Sequence, residues 1–312
     1  MDGVLIIDKP AGMTSHDVVA RVRKIIGQRR VGHTGTLDPF ATGVLVILIG
    51  RATRLAQFLS GAEKEYAAII RLGYATDTGD LTGAPTVKEL PTKGTSFTKE
   101  KIEAALAALR GDLEQTPPMY SAKKVSGKKL YELARRGEEV ARPPIRVTIG
   151  KFESVAPNDR LLQENEDGTN DLRVRVLCSA GTYVRVLAED FGERLGLGAH
   201  LVELRRTRAG TFKIADAITL ERLSELTKSD SLEQVLISPS DALSHLPMVQ
   251  LNQEDVRSTR QGVDLRFDEA EASGWPNSQP VRLRASGGEL IAVGAYDRGR
   301  KVIHPKVVVA NQ

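Results

Sequence analysis

The sequence predicts an α+β fold, with a large mixed domain followed by a small, mostly β domain. Three observations lead to this prediction. The chain of 312 residues is long enough for two domains. Most of it alternates between apolar runs typical of strands and segments with apolar residues at helical spacing. Its last part contains short apolar alternations separated by turn-forming residues. We therefore expect domains at residues 1–245 and 246–312.

Local patterns predict the individual elements of the first domain. Continuous or alternating apolar runs predict strands at residues 4–8, 44–49, 66–72, 145–152 and 172–178. Helical spacing predicts a helix that begins at Thr14 or Ser15 and is ended by Gly27, and further helices at residues 51–59, 99–110, 130–136 and 182–195. Residues 83–96 are expected to form a loop, and the acidic stretch at 158–170 is expected to be a mobile excursion.

The second domain is predicted to be compact and mostly β. It begins with one short helix at residues 254–260, which a turn-rich stretch at 273–279 follows. Apolar alternations then predict strands at residues 281–283, 290–293 and 307–309.

Composition excludes several classes of protein. The longest apolar run, residues 44–49, is far shorter than a membrane span, and the early strand predicts that no signal peptide is present. The single cysteine, Cys178, excludes an internal disulfide framework and a multi-cysteine metal cluster. The five histidines lack metal-ligand spacing. We therefore expect a cytoplasmic protein without a bound metal.

The charged residues are unevenly distributed. The net charge is only +4, but residues 123–151 contain nine Lys or Arg against three Glu, and residues 281–306 are also basic. Such stretches favour contact with a polyanion, although ordinary solvated helix faces carry similar charge. Charge alone leaves both interpretations open.

The loop at residues 31–43 contains the strongest candidate for chemistry, the carboxylate of Asp38. Gly32, Gly35 and Gly43 give the backbone unusual freedom, and Pro39 biases Asp38 toward an extended conformation. A carboxylate in such a loop, just before a buried strand, can lie at the mouth of a cleft. Since Asp-Pro is also ordinary turn chemistry, the loop alone does not establish a function.

Together with other segments, this loop resembles the TruB family of pseudouridine synthases. The resemblance is collinear from about residue 3 to residue 215. It is carried by the segments DKPAGMTS (8–15), GHTGTLDPFATG (32–43), KEY (64–66), TDT (76–78), PPMYSAK (117–123), GKKLY (127–131), CSAGTYVR (178–185), AH (199–200) and LRRT (204–207).

The resemblance implies both a fold and an activity. The fold would be a catalytic domain with a central mixed, mainly antiparallel sheet flanked by helices, an inserted RNA-clamp segment at about 117–142, and a C-terminal PUA-like RNA-binding domain. The activity would be isomerisation of a flipped-out uridine at position 55, in the T-loop of tRNA, to pseudouridine. That reaction breaks the N1–C1′ bond and joins C5 to the same ribose carbon, and it needs no cofactor.

The resemblance also implies the roles of individual residues. Asp38 would be the catalytic carboxylate, Arg185 its guanidinium partner and Tyr66 the ring that faces the target base. Substrate or RNA contacts are implied for His33, Tyr183, Leu204, Lys9, Lys123 and Arg205, with Arg206 and Arg208 extending the basic surface. From the residues alone, other roles stay open: an exposed helix position for Arg185, core packing for Tyr66 and Leu204, and a structural turn for Lys9.

The implied partner is the T-arm of tRNA, bound by a monomer without a membrane or a guide RNA. Two alternatives remain. A non-catalytic protein that binds tRNA and assists its folding would not need Asp38 or Arg185. A guide-dependent synthase would act on other RNA, but relatives of that kind lack the inserted segment at 117–142.

Overall fold

The structure is a computed structural model that describes residues 1–88, 97–121, 123–125, 127–134, 136–138, 140–156, 161–267, 272 and 274–310. Parts of the predicted loop at 83–96 and of the predicted excursion at 158–170 lie outside the described residues. The strands in chain order are β1 (Gly3–Lys9), β2 (Val31–His33), β3 (Thr42–Ile49), β4 (Lys64–Leu72), β5 (Tyr74–Thr76), β6 (Pro85–Lys88), β7 (Gly111–Gln115), β8 (Lys124–Val125), β9 (Lys128–Lys129), β10 (Ile145–Ser154), β11 (Leu162–Glu164), β12 (Asn170–Cys178), β13 (Ala199–Ala209), β14 (Phe212–Lys213), β15 (Met248–Leu251), β16 (Leu265–Arg266), β17 (Pro280–Ala285), β18 (Leu290–Asp297) and β19 (Val302–Val308). The α-helices are α1 (Ser15–Ile26), α2 (Ala56–Leu59), α3 (Lys99–Ala107), α4 (Leu130–Ala134), α5 (Val184–Arg194), α6 (Leu220–Lys228) and α7 (Gln253–Arg260).

Ten of these strands form one mixed sheet. Its central path runs β1-β3-β13-β4-β12-β10-β7, and β2, β11 and β14 pair with β3, β12 and β13 respectively. Neighbouring strands are antiparallel, except that β13 pairs with β3 in parallel. The predicted central mixed, mainly antiparallel sheet is therefore confirmed.

Helix α1 forms where its caps and apolar spacing predict it. The Thr14 side chain accepts a hydrogen bond from the backbone N–H of Asp17, and the Asp17 carboxylate accepts one from the backbone N–H of Thr14. Gly27 ends the helix in the left-handed conformation, with φ of 66°. The apolar face of α1 packs in one buried cluster with β1 and β3 through Val18, Val19 and Val22.

The main core lies between the sheet and helices α3 and α5. Ile102 from α3 and Leu187 from α5 are completely buried in it. Phe152 on β10 meets Phe191 on α5 edge to face, with ring centroids 6.0 Å apart. Full burial of a side chain of this size stabilises a fold by about 1.5–3 kcal/mol. This packing positions α5, whose second residue is Arg185.

A second sheet, with the strand order β15-β17-β18-β19-β16, forms the C-terminal β domain. The rings of Phe267 and Trp275 stack with centroids 5.4 Å apart, and Tyr296 meets both of them edge-on. Val293 of this sheet shares a buried cluster with Val46 of the first sheet. The small, mostly β C-terminal part of the predicted fold is confirmed.

Several local predictions differ from the structure. Part of the predicted loop at 83–96 is strand β6, which pairs with β5. Part of the predicted excursion at 158–170 is strand β11, which forms a hairpin with β12. The predicted helix at 51–59 is a 3-10 helix, Gly50–Leu55, followed by the single turn α2.

None of the described helices is long and apolar enough to cross a membrane.

Strands β7 and β13 are absent from the sequence-based prediction. Strand β13 occupies the middle of the sheet, yet it contains Glu203, Arg205, Arg206 and Arg208. Its register also shifts at two irregularities against β4. These interruptions disrupt the simple alternation by which a half-buried strand is recognised.

Candidate active site

The loop that carries Asp38 is anchored to the start of helix α1. Ser15 is buried, and its hydroxyl accepts a hydrogen bond from the backbone N–H of Leu37 at 2.8 Å. The same hydroxyl donates to the Leu37 carbonyl at 3.2 Å. The residue before Asp38 is thus held at both of its backbone polar groups.

Lys9 supports the next part of the loop from the interior. It has no exposed surface, and its Nζ donates to the carbonyls of Pro10, Met13 and Pro39 at 2.8, 2.6 and 3.2 Å. Burial lowers the pKa of the Lys9 ammonium to about 8, although Asp38 acts in the opposite direction. The ammonium is enclosed by backbone carbonyls, which supports the structural role left open for Lys9, and its contact with RNA stays a prediction.

A second buried cation, Arg206 of β13, also binds the loop. Its Nε donates to the Val44 carbonyl at 2.7 Å, and its two Nη atoms donate to the carbonyls of Gly35 and Thr36 at 3.0 and 3.4 Å. Arg206 is only 3% exposed. Its guanidinium thus binds backbone carbonyls of the loop, and its contribution to a basic surface for RNA stays a prediction.

Gly43 allows Arg206 of β13 to approach the backbone of β3 closely. A Cβ atom at residue 43 would come within 2.2 Å of the Arg206 carbonyl oxygen, and φ at Gly43 is +100°. Only glycine combines that conformation with that contact.

Arg185 holds the Asp38 carboxylate in a two-point ion pair. Its Nε lies 2.9 Å from Oδ2 of Asp38, and its Nη2 donates to Oδ1 at 3.2 Å. Two backbone carbonyls, those of Thr78 and Tyr120, accept from the same guanidinium at 2.7 Å each. The Arg185 side chain is 4% exposed and that of Asp38 31%. Arg185 is therefore not an exposed helix-face residue, and the planar fork presents a solvent-accessible carboxylate in one orientation.

Two further carboxylates lie near Arg185, and the sequence analysis identified neither. Asp80 is buried, with Oδ2 at 3.8 Å from Nη1 of Arg185. Glu189 follows Arg185 by one turn of α5, and its burial raises its pKa to about 7 against the opposing effect of Arg185. Asp80 lies two residues after the TDT segment, and that motif is the sequence signal that could have identified it.

The charge on Asp38 depends on two opposing effects. Burial raises the pKa of the carboxyl above its ordinary value, and Asp80 acts in the same direction. The charge and the hydrogen bonds of Arg185 lower the pKa, and Lys9 adds to that effect. Arg185 and Lys9 are therefore the groups that favour the ionised form of the carboxyl against the effect of burial.

Asp38 lines a cleft of about 250 Å³ between the loop, the strands and the start of α5. The cleft is lined by Thr34, Gly35, Thr36, Leu37, Asp38, Ser60, Lys64, Tyr66, Ser121, Lys123, residues 179–185, Leu204 and Arg206. A larger concavity of about 1120 Å³ borders β4, β11 and β12, but its Arg71 and Asp171 are paired with each other at 2.8 Å. The chemistry suggested by the sequence is concentrated in the smaller cleft.

One wall of the cleft is formed by Tyr66 and Leu204, which are 8% and 7% exposed. Both also belong to the main core, so the core packing left open for these residues is observed, and they line the cleft as well. Burial raises the pKa of the Tyr66 phenol, and the positive charge of Arg206 opposes this. Lys64, which the sequence analysis quoted only within its KEY segment, lines the same cleft, and burial lowers its pKa to about 8.

His33 lies at the end of β2, just before the loop. Its Nδ1 accepts a hydrogen bond from the backbone N–H of Gly35 at 3.2 Å, so the ring proton of the neutral form is on Nε2. Burial lowers the pKa of His33 to about 4. His16, an exposed residue of α1, meets the ring edge-on with centroids 5.5 Å apart. His33 is thus a neutral, oriented aromatic ring near the loop that carries Asp38.

Tyr183 and Lys123 complete the predicted set inside the cleft. Gln115 holds the backbone of Tyr183, because its side chain accepts from the Tyr183 N–H at 3.0 Å and donates to the Tyr183 carbonyl at 3.3 Å. Arg205 lies outside the lining and pairs with Asp8 at 2.7 Å, with 42% of its side chain exposed. Of the nine predicted site residues, seven gather at or beside this cleft, Arg205 lies near it on the surface, and Lys9 is buried below it.

Comparison with known proteins gives the same family for most of the chain. A family model described as the TruB family pseudouridylate synthase N-terminal domain matches residues 23–184, and one described as the tRNA pseudouridylate synthase B C-terminal domain matches residues 185–244. The tRNA pseudouridine synthase B of Geobacillus thermodenitrificans is 47% identical over 267 residues, 86% of each chain. That of Bacillus cytotoxicus is 46% identical over 85% of each chain.

Among solved structures, the chain is similar to one in a crystal structure of a Cbf5-Nop10-Gar1 complex. The TM-score is 0.73 at 27% identity, over 99% of this chain and 85% of that chain. The sheet of strands β15–β19 lies beyond both matching family models but within the span of this structural similarity.

Proposed function

The chain belongs to the TruB family of pseudouridine synthases, and from this membership we propose that it isomerises a uridine flipped out of the T-loop of tRNA, with Asp38 as the catalytic carboxylate. The observation that carries the proposal is the two-point ion pair of Asp38 with Arg185 inside the cleft. It gives an oriented carboxylate whose outer surface remains open to a ligand. Relatives named tRNA pseudouridine synthase B support tRNA as the substrate.

Asp38 acts at the junction between the ribose and the base. The reaction must break the N1–C1′ bond, turn the uracil and form a C5–C1′ bond at the same ribose carbon. A carboxylate can attack the base, attack C1′ or remove a ribose proton, and each of these steps needs it ionised. Arg185 serves all three, because it favours the charged form and fixes the direction of the carboxylate oxygens.

The ring of Tyr66 and the side chain of Leu204 contact the uracil while it turns. Tyr66 faces the base and assists in moving the C5 proton, and Tyr183 borders the pocket from the start of α5. A flat wall of this kind lets the released base rotate without leaving the cleft. The burial of Tyr66 and Leu204 in the main core supports this role, since a rigid wall keeps the base near Asp38.

His33 holds open the RNA from which the uridine is flipped. Flipping costs a few kcal/mol of lost stacking and pairing, and a ring that stacks in the vacated space recovers part of that cost. A neutral histidine suits this role, because stacking then does not depend on protonation near pH 7. The low pKa of His33 and its hydrogen bond to Gly35 support this assignment.

The basic surface around the cleft binds RNA phosphates without reading sequence. It includes Lys123, Arg205 and the inserted segment at about 117–142. The C-terminal β domain, residues 246–312, is a PUA-like RNA-binding domain in this proposal, and residues 1–245 form the catalytic domain. The protein acts as a monomer in the cytoplasm, with no guide RNA and no cofactor.

The test is isomerisation of a T-arm stem-loop by the pure protein, without added guide or cofactor. We expect pseudouridine at one position, and we expect Asp38→Asn to lower kcat by at least about 10³-fold with near-normal binding of the stem-loop. The exposed Asp216 provides a matched control, and Asp216→Asn should retain full activity. Full activity of Asp38→Asn would refute the assignment. Tight binding without isomerisation by the unmodified chain would instead indicate a folding protein, and dependence on a guide would indicate the other alternative.

A further inference from the structure

One hydroxyl on the wall of the cleft is buried and unsatisfied. Ser121 is 5% exposed, and its Oγ is shielded from solvent and has no hydrogen-bond partner among the residues that the structure describes. Few buried hydroxyls in folded proteins lack a partner, because desolvating one without compensation is unfavourable. An uncompensated hydroxyl that lines a binding cleft is therefore a candidate for contact with a ligand.

Ser121 is placed next to the catalytic pair. The carbonyl of the preceding residue, Tyr120, accepts a hydrogen bond from Nη2 of Arg185 at 2.7 Å, and the same nitrogen donates to Oδ1 of Asp38 at 3.2 Å. The backbone of Ser121 is in turn fixed by its N–H, which donates to the Met119 carbonyl at 2.9 Å. Ser121 therefore directly follows the residue whose carbonyl binds the Arg185 guanidinium, and that guanidinium orients the catalytic carboxylate.

A second hydroxyl, that of Tyr183, lies on the same wall. Burial raises the pKa of the Tyr183 phenol and its contact with the Ser121 hydroxyl lowers it, so the two hydroxyls are neighbours, although their geometry is not that of a hydrogen bond. A rotation about the Cα–Cβ bond of Ser121 would turn its hydroxyl into the cleft, where a polar group of a bound ligand could satisfy it, because a hydroxyl can both donate and accept.

We propose that Ser121 is a substrate-binding residue whose hydroxyl forms a hydrogen bond with the flipped uridine near its sugar–base junction. The partner is an oxygen of the nucleotide, either a uracil carbonyl or the ribose 2′-hydroxyl. The inference rests on the proposed function, because it takes the occupant of the cleft to be a uridine. It gives the PPMYSAK segment two roles: the backbone carbonyl of Tyr120 binds Arg185, and the side chain of Ser121 binds the substrate.

The experiment compares Ser121→Ala with a matched control, Ser240→Ala. The hydroxyl of Ser240 is also buried and unsatisfied among the described residues, but Ser240 does not line the cleft. We expect Ser121→Ala to lower kcat/KM on the T-arm stem-loop by about three- to tenfold, which corresponds to the loss of one neutral hydrogen bond. We expect its thermal midpoint to be unchanged or slightly higher. Ser240→Ala should show the same thermal behaviour with unaltered kcat/KM.

Binding of a stem-loop with 2′-deoxyuridine at the target position identifies the partner atom. If Ser121 binds the 2′-hydroxyl, Ser121→Ala weakens binding of the ribose substrate only. If it binds a uracil carbonyl, the variant weakens binding of both substrates equally. Either result supports the proposal.

Two results would overturn it: unaltered kcat/KM and affinity in Ser121→Ala, or a loss of activity that follows a matching loss of thermal stability. Failure of the proposed function is seen separately, because the unmodified chain would then form no pseudouridine in the same assay.

Discussion

Replacing Arg185 by lysine should separate the orientation of Asp38 from the mere presence of a nearby positive charge. The guanidinium makes two contacts with the carboxylate, at 2.9 and 3.2 Å, and donates to two backbone carbonyls at 2.7 Å each. A lysine ammonium is a single point on a flexible chain and cannot reproduce this fork. Arg185→Lys therefore keeps the charge but loses the geometry.

The structure sets the magnitude of this loss. Hydrogen bonds to charged groups contribute about 1.5–3 kcal/mol each. The ammonium is expected to lose at least one bond to Asp38, and since the Asp38 side chain is 31% exposed, water replaces part of what is lost. A net loss of about 1.5–3 kcal/mol in the transition state corresponds to roughly a ten- to 150-fold lower kcat.

The pH dependence gives an independent readout. Burial raises the pKa of Asp38 and Arg185 lowers it, so weakening Arg185 must raise the pKa further. Because the proposed mechanism needs the ionised carboxylate, the acidic limb of kcat/KM should move to higher pH in Arg185→Lys. It should move further in Arg185→Gln, where the positive charge is absent.

The assay is single-turnover isomerisation of the T-arm stem-loop across a range of pH, together with thermal unfolding of each variant. Arg175→Lys is the matched control, since Arg175 pairs with Glu65 at 2.7 Å while 46% exposed, and exposed pairs contribute only about 0–1 kcal/mol. Wild-type kcat and an unmoved acidic limb in folded Arg185→Lys would refute the argument that the fork orients Asp38.

Two further predictions concern the loop and its flanking ring. Gly43→Ala should lower the free energy of unfolding by more than about 3 kcal/mol, because its Cβ would collide with the Arg206 carbonyl. Gly12→Ala, also at positive φ but with no atom within 4 Å of the new Cβ, should cost only about 1–2 kcal/mol; equal losses in chemical denaturation would contradict the close-approach argument. His33→Phe should retain most affinity for the stem-loop, whereas His33→Ala should weaken it. The difference should not change between about pH 6 and pH 8, because the pKa of His33 is about 4; affinity that rises on acidification through this range in the wild type but not in His33→Phe would contradict a neutral stacking role.

Local sequence patterns predicted the elements that depend on apolar spacing alone. Strand β3 is a continuous apolar run, and all of its residues after Thr42 are buried. Helix α1 has both caps in its sequence, Thr14 and Gly27. Strand β13 was not predicted because its Arg206 is buried, where it binds carbonyls of the loop. A sequence pattern cannot distinguish such an arginine from a solvated one.

The site was predictable only to the extent that motifs could be matched. The motifs pointed to Asp38 and Arg185, which are separated by 147 positions along the chain and joined by the fold. They could not show that Lys9 faces inward, because that depends on three backbone carbonyls that the fold brings together around its ammonium. Asp80 and Ser121 were missed for the same reason, since their importance lies in distances to Arg185 and in burial.

The buried cations near Asp38 favour the ionised form of a carboxyl whose pKa is raised by burial. Lys9 and Arg206 bind backbone carbonyls rather than carboxylates, so no acidic partner among these contacts cancels their charge. Lys9 consequently still lowers the pKa of Asp38, and Arg185 does so more strongly despite its neighbour Asp80. Lys9, which holds the loop in place, thus also favours ionisation of its carboxylate. A loop anchored by neutral side chains would have the same shape, but burial would then leave Asp38 more readily protonated.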